Sequence, residues 1–337
     1  MAGDDNVGGS PNKRLDGAFV AAIDFGGSKT AIAIADPDGR LLRQLVIPSH
    51  PDQPADAVLS SALAGTQAMM RQAISSGYRY CAGIGISTPG IPTPSGTLLS
   101  PNIAGWDHVP LRDRVQDELG ANEVVLGNDV KCGALAELRW GALHGADPGV
   151  YVNLGTGVGA AVVVDGHVLE GAHGCAGEIG YSTVATTFAK DEARSLEDIV
   201  GGRGLSRTAS ELLGQPITAE ELFDATDATA GRLVAQALAA LAAHLSNIVL
   251  LLDPQRVVVG GGLMAAAQRI LPALRAGLQV PPPLGPEVVA SRFPTDASLR
   301  GAVALALAHT RGHGANLDGG SPGAGTGGRL DNPKGGM

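Results

Sequence analysis

Cysteine and positive charge are both scarce in this chain of 337 residues. Its three cysteines, Cys81, Cys132 and Cys175, lie far apart and form no CxxC pair. The sequence therefore predicts neither a disulfide framework nor a zinc knuckle, and it favours a reducing, cytoplasmic setting. Basic residues number 24 against 33 acidic ones, and the resulting net charge of −9 argues against a nucleic-acid partner.

Long apolar runs are almost absent as well. Residues 1–17 are polar and glycine-rich, so we expect a disordered extension rather than a signal peptide. Only Leu233–Leu252 is long and apolar enough to span a membrane. Its alanine content and the strand-like segment after it favour a buried core helix, and no membrane association is expected. Residues 311–337 contain almost no apolar side chains and predict a disordered tail.

One apolar-glycine pattern occurs twice. Residues 23–32 read IDFGGSKTAI, and residues 152–161 read VNLGTGVGAA. Each copy predicts a short strand, a glycine-rich turn and a second strand. Glycine turns leave backbone N–H groups unobstructed, so an anion can approach closely. Two such turns that face each other across a cleft can hold the phosphates of one nucleotide.

A carboxylate stands between the two copies. Residues 124–126 predict a short strand that delivers Asn128 and Asp129 at its end. A carboxylate in that place suits a general base in phosphoryl transfer from ATP. The alternative is that Asp129 only caps the helix predicted over residues 131–141. The presence of both glycine turns favours the catalytic interpretation.

Length and periodicity predict two α/β domains built on one repeated unit. A chain of this size exceeds one ordinary core, and each half begins with three strands before its helices. The predicted strands cover residues 19–23, 30–35, 41–47, 80–87, 124–126, 150–154, 160–164, 167–169 and 257–259. The predicted helices cover residues 55–75, 111–119, 134–141, 196–213, 231–252 and 297–308.

Seven short segments in a fixed order carry a family resemblance. They are DFGGSKT at 24–30, STPG at 87–90, NIAGW at 102–106, ND at 128–129, LGTGVG at 154–159, GEIG at 177–180 and GGGL at 260–263. With these segments, residues 18–310 resemble the ROK (repressor, open reading frame, kinase) family of sugar kinases. The resemblance implies an actin-like (ribonuclease H-like), duplicated two-domain α/β fold with a central ATP and sugar cleft. It also implies a homodimer, a smaller domain of residues 18–130 plus 296–310, and a larger domain of residues 131–295.

The resemblance also implies residue roles. Asp129 would bind the sugar and act as the catalytic base, and Asp24 would orient Mg²⁺ through water. Gly261 and Gly262 would allow close approach to adenosine. The residues that would hydrogen-bond the sugar hydroxyls are Asn102, Asn128, Glu178 and Glu197. The residues that would bind the ATP phosphates are Gly26, Gly27, Ser28, Lys29, Thr30, Gly155, Thr156 and Gly157.

The chain departs from the family at its zinc site. Tyr181 stands where many members have a histidine, and residues 187–197 contain no cysteine, so we predict no structural zinc. The missing histidine usually touches the sugar, so a hexose preference does not simply transfer. A glucokinase-like hexose kinase is the leading hypothesis. A kinase of a modified sugar or C7-cyclitol and a catalytically silent sugar-binding regulator are the alternatives. A DNA-binding repressor is disfavoured, because no helix-turn-helix module fits into the 17 residues before the first strand.

Overall fold

Two five-stranded sheets of the same design form the framework of the protein. The computed structural model describes residues 15–49, 53–100, 103–184, 194–281 and 285–312. In chain order the strands are β1 (Ala18–Phe25), β2 (Lys29–Ala35), β3 (Leu41–Pro48), β4 (Tyr80–Thr88), β5 (Ile91–Thr93), β6 (Gly96–Leu98), β7 (Val124–Asn128), β8 (Gly149–Leu154), β9 (Val158–Val164), β10 (His167–Val168), β11 (Thr183–Val184), β12 (Arg194–Ser195), β13 (Arg256–Gly260) and β14 (Glu287–Ala290).

The two sheets repeat one topology. The first has the order β3-β2-β1-β4-β7 and the second has the order β10-β9-β8-β13-β14. In each sheet the first three strands pair antiparallel, and the last two extend the sheet in parallel. The duplication predicted from the repeated pattern is therefore present, and its two hairpins, β1–β2 and β8–β9, occupy equivalent places.

Helices cover the sheets and fill the space between them. In chain order they are α1 (Ala55–Ser75), α2 (Leu111–Leu119), α3 (Asp129–Trp140), α4 (Leu196–Val200), α5 (Gly202–Leu213), α6 (Ala219–Asp224), α7 (Ala228–Leu252), α8 (Ala267–Gly277) and α9 (Ala297–Thr310). Short 3-10 turns span Trp106–His108, Ile179–Tyr181 and Gly262–Ala266. The bounds of α1 and α2 are those predicted, whereas the helix predicted over residues 196–213 is two helices that meet at Gly201.

The strand β1 is apolar at every position except Asp24. Phe19 and Ile23 belong to the core cluster that contains residues of α1, whereas Val20 and Ala22 cluster with residues of α9. Successive side chains of a strand point to opposite faces, so a strand covered on both sides needs apolar residues throughout. The last of the predicted helices, α9, therefore packs on the first sheet.

The helices α3 and α9 cross in close contact between the two sheets. A Cβ atom added at Gly301 of α9 would lie 1.8 Å from the carbonyl oxygen of Cys132 of α3, so only glycine fits there. Val125 of the first sheet and Val258 of the second sheet belong to the same core cluster as both helices. This crossing places the first residue of α3, Asp129, between the two halves.

The long apolar stretch forms α7. By length and composition, α7 is the single helix among the described residues that could cross a membrane. Its residues Val234, Leu241, Leu245 and Val249 are buried in the core of the second half. This is the core position that the sequence predicts for the stretch.

Candidate active site

Asp129 lies at the junction of β7 and α3. The N-cap of α3 is Asn128, whose Oδ1 accepts hydrogen bonds from the N–H groups of Val130 at 3.0 Å and Lys131 at 3.1 Å. Its Nδ2 donates to the Gly90 carbonyl oxygen at 2.9 Å. The capping alternative for Asp129 is therefore wrong, since the preceding residue fills that role. A sugar contact by Asn128 stays a prediction. The sugar would have to hydrogen-bond a side chain that already has these protein partners.

Three carboxylates meet at this junction. Burial, together with the nearby charges of Asp24 and Glu178, raises the pKa of Asp129 to about 7, against the hydrogen bond from the Val130 N–H group. Burial also raises the pKa of Asp24 to about 6, against the hydrogen bond from Ser87 and the positive charge of Lys29. The chain thus holds two half-buried carboxyl groups whose ordinary preference for ionisation is weakened. Such a site favours either a proton or a cation.

Ser87 fixes the carboxylate of Asp24. The two residues are paired in register on β4 and β1, and Ser87 Oγ donates to Asp24 Oδ1 at 2.6 Å. Ser87 belongs to one of the seven segments but was given no role from the sequence. The sequence signal for a role of Ser87 is its position near the carboxyl end of a parallel strand, next to the strand that contains Asp24.

Glu197 braces the second glycine turn. It lies in the first turn of α4, and its Oε2 accepts a hydrogen bond from the Val158 N–H group at 3.2 Å. A Cβ atom added at Gly157 would lie 2.2 Å from the same oxygen, so a larger residue there would displace the Glu197 carboxylate. The sugar role of Glu197 stays a prediction beside this structural contact.

Tyr181 lies next to the acidic residues of the second half. Its side chain is 59% exposed. Burial and the charges of Glu178 and Glu197 all raise the pKa of its hydroxyl. Burial likewise raises the pKa of Glu178, and the positive charge of Lys131 opposes that shift. An aromatic hydroxyl therefore stands beside two carboxylates at the position where the sequence resemblance implies a histidine.

Both glycine turns border one cavity of about 620 Å³. Ser28 and Lys29 come from the first turn, and Gly155 and Thr156 come from the second. The cavity is also lined by Gly261 and Gly262, which the sequence placed at the nucleotide. Sequence reasoning missed further lining residues, and these are Asn153, Arg203, Ser206, Thr218, Glu220, Thr295 and Ser298.

Backbone hydrogen bonds join the first turn of α5, which contains Arg203, to the second glycine turn. The N–H group of Gly202 donates to Gly155 O at 2.9 Å, and that of Arg203 donates to Thr156 O at 3.0 Å. The GGR sequence at 201–203 is the signal that could have identified these residues. By contrast, Gly26, Gly27, Thr30 and Gly157 do not line this cavity, and the Thr30 hydroxyl lies 3.4 Å from Ser49 Oγ. The predicted sugar and metal residues also lie outside its lining, and these are Asp24, Asn128, Asp129, Glu178 and Glu197.

Two predictions concern residues outside the described part of the chain. Asn102 lies in the gap at residues 101–102, and most of the segment without cysteine lies in the gap at 185–193. Among the residues that the structure describes, no group of three or more His, Cys, Asp and Glu side chains is placed to hold a metal ion. The absence of a structural zinc stays a prediction.

The two glycines at the end of β13 differ sharply in what they tolerate. Gly261 has a φ of +94°, and an added Cβ atom would lie 2.4 Å from Leu154 O, whereas nothing lies within 4 Å of a Cβ at Gly262. We expect Gly261→Ala to lower the free energy of unfolding by about 1–3 kcal/mol. The matched variant Gly262→Ala should change it by less than about 0.5 kcal/mol. Urea unfolding of both variants tests this, and equal losses would contradict it.

Known proteins share this arrangement. A profile of the ROK family matches residues 20–309. A glucokinase from Halalkalibacterium halodurans is 28% identical over 279 residues, which cover 76% of this chain and 84% of the relative.

Solved structures support the same assignment. A ROK hexokinase from Thermus thermophilus superposes with a TM-score of 0.71 at 30% identity, covering 87% of this chain and 99% of its own. A ROK glucokinase from Streptomyces griseus, solved with glucose and AMPPNP, gives 0.70 at 26% identity, with coverages of 86% and 99%. These structures confirm the predicted duplicated, actin-like α/β fold. Since the profile match spans most of the sequence, this chain belongs to the ROK family.

Proposed function

We propose that this protein is an ATP-dependent hexose kinase that transfers the γ-phosphate of ATP to a sugar hydroxyl, the hydroxymethyl group in a glucokinase-like reaction. The observation that carries the proposal is the position of Asp129. It lies with Asp24 and Glu178 between two halves whose glycine turns border one cavity. The Streptomyces griseus relative, solved with glucose and an ATP analogue, supports the same pair of substrates.

Asp129 acts as the general base in this reaction. Burial and neighbouring carboxylates raise its pKa to about 7, so it is a stronger base than an ordinary aspartate. A base with a pKa near the working pH combines a useful ionised fraction with a good driving force for proton transfer. Asp129 takes the proton of the acceptor hydroxyl as that oxygen bonds to phosphorus.

The donor set around Asp24 fits Mg²⁺. The ion prefers oxygen ligands and keeps several waters, and Asp24 offers a carboxylate that Ser87 orients from 2.6 Å. Bound Mg²⁺ would neutralise the charge on the transferring phosphoryl group. Asp24 would hold it through water, while the backbone N–H groups of the glycine turns and the side chain of Lys29 would bind phosphate oxygens.

A coupled ADP-release assay with Mg-ATP tests the proposal. The acceptor panel is glucose, mannose, N-acetylglucosamine, N-acetylmannosamine and a C7-cyclitol. We expect turnover on at least one hexose. Turnover on the cyclitol alone would replace the proposal with the modified-sugar alternative. Silence throughout, with sugar binding retained in calorimetry, would favour a non-catalytic sugar-binding protein.

The pH dependence follows from the same carboxyl group. A base must be ionised to act, and the pKa of Asp129 is raised to about 7. We therefore expect kcat/KM for the sugar to fall about tenfold per pH unit below that value and to level off above it. Because Asp24 titrates nearby, the apparent pKa belongs to the coupled pair. Rates at saturating Mg-ATP from pH 5.5 to 9 measure it, and a flat profile would exclude Asp129 as the base.

A further inference from the structure

Lys131 is a buried cation that the reaction described above does not use. Its side chain is 2% exposed, and its Nζ lies 2.6 Å from Glu170 Oε2. The same ammonium group donates to Gly174 O at 2.7 Å and to Glu170 O at 3.2 Å. An ammonium group has three hydrogens, so all of its donors have acceptors. The three acceptors belong to one loop, which follows β10.

That loop leads directly to Glu178. Within it, the Ala176 N–H group donates to Glu170 O at 3.2 Å, and the Glu178 N–H group donates to Cys175 O at 3.1 Å. Its far end is tied to β9 by the Ala160 N–H group, which donates to Gly177 O at 2.8 Å. The second sheet therefore holds the loop at both ends, since the Leu169 N–H group also donates to Val162 O at 2.8 Å, and Lys131 holds the part between them.

The loop has a conformation that depends on its glycines. Gly171, Gly174 and Gly177 all have φ values between +74° and +93°, in the region that favours glycine. A chain so rich in glycine loses much conformational entropy when it is fixed, so its position depends on the contacts that hold it. Lys131 supplies three of these contacts from a single atom.

Lys131 is also rigidly connected to Asp129. Both residues lie in the first turn of α3, which Asn128 caps. A displacement of the loop relative to α3 would change the distance between the general base and Glu178. The positive charge of Lys131 also opposes the rise in the pKa of Glu178 that burial causes.

We propose that Lys131, through its ion pair with Glu170, is a positioning residue that holds Glu178 and the acceptor sugar in register with Asp129. The inference rests on the proposed kinase function. Buried ion pairs add little net stability compared with an uncharged pair of similar volume, so a stability role does not require the charges. A geometric role does require them, because an uncharged side chain cannot gather three acceptors from one loop.

Three variants separate positioning from stability. Lys131→Met leaves the Glu170 carboxylate unpaired, so the melting temperature should fall. The sugar KM should rise about tenfold or more, while the KM for Mg-ATP stays unchanged. Glu170→Gln should show the same direction of change. In the double variant Lys131→Met/Glu170→Gln no buried charge is unpaired, so the melting temperature should recover while the raised sugar KM persists.

The readouts also separate the inference from the proposed function. Amide hydrogen exchange across residues 170–178 should be faster in the double variant than in the wild type, even at equal melting temperature. The control Arg256→Met breaks the 2.6 Å ion pair with Glu287, away from the site, and should leave the sugar KM unchanged. Recovery of the sugar KM together with the melting temperature would overturn the inference alone. A wild-type protein that phosphorylates and binds none of the sugars would overturn the proposed function and this inference with it.

Discussion

Replacing Asp129 by asparagine is expected to lower kcat by about 10²- to 10⁴-fold. The amide has nearly the same shape as the carboxylate, but it cannot take a proton from the acceptor hydroxyl. The helix start should survive, because its cap is Asn128 and not the substituted residue. Steady-state ADP release on the best acceptor measures kcat, and calorimetric titration with Mg-ATP checks that nucleotide binding is retained. Retention of more than about a tenth of wild-type kcat would remove Asp129 from the reaction.

The same variant should be more stable than the wild type at pH 8. The pKa of Asp129 is raised in the folded protein to about 7 from an ordinary 3.8, so ionisation of Asp129 is less favourable in the folded state than in the unfolded state. The folded state therefore loses stability as pH rises from about 4 to about 7. Asparagine carries no such penalty. The matched control is Asp227→Asn at the exposed N-cap of α7, where asparagine can still cap the helix. There kcat should stay unchanged and the melting temperature should not rise, because hydrogen bonds from the Ala230 and Thr229 N–H groups lower the pKa of Asp227.

The parts of the fold that were predictable from sequence are those set by local pattern. The two glycine hairpins appear as β1–β2 and β8–β9, because strand alternation and turn glycines are local properties. Because the hairpin pattern occurs twice, the sequence also predicted the duplication of the whole sheet. The helix α3 begins at Asp129, earlier than predicted, because the capping role was considered for Asp129 and not for Asn128.

Two of the elements that were missed, β14 and α8, depend on tertiary contacts. The strand β14 has four residues and is stabilised by its pairing with β13. The helix α8 contains Pro272, which removes a backbone hydrogen bond and argues against a helix in sequence. Burial of Ile270 and Leu274 in the second core outweighs that cost. A sequence pattern does not report such long-range compensation.

The sequence likewise predicted only part of the candidate site. The structure brings together Asp24, Asp129 and Glu178, each of which was assigned from a short segment. Lys131 was missed, because one lysine in an apolar helix turn reads as a solvent-exposed charge. Its partner Glu170 lies 39 residues away, and neither residue belongs to a recognisable segment. Partners at that separation become visible only when the chain is folded.

Replacing Asp24 by asparagine should remove activity and add stability at once. Loss of the carboxylate that we propose to hold the hydrated metal should lower kcat/KM by about 10²- to 10³-fold, and raising Mg²⁺ should restore only part of it. The folded-state pKa of Asp24 is raised to about 6, so the wild type loses stability as pH rises from about 4 through 6. At pH 8, asparagine should therefore raise the free energy of unfolding by about 1–3 kcal/mol.

Ser87→Ala distinguishes the charge of Asp24 from its orientation. Ser87 Oγ donates to Asp24 Oδ1 at 2.6 Å, and this bond lowers the pKa of the carboxyl group. Without it that pKa should rise, so the acidic limb of the kcat/KM profile should move to higher pH while the activity at pH 9 stays close to wild type.

Two results for Asp24→Asn would contradict the proposed role of Asp24: an unchanged Mg²⁺ dependence, or a melting temperature at pH 8 below that of the wild type. A buried carboxylate kept for its charge should give lower activity and higher stability when it is replaced. A carboxylate that served folding would instead lose both activity and stability.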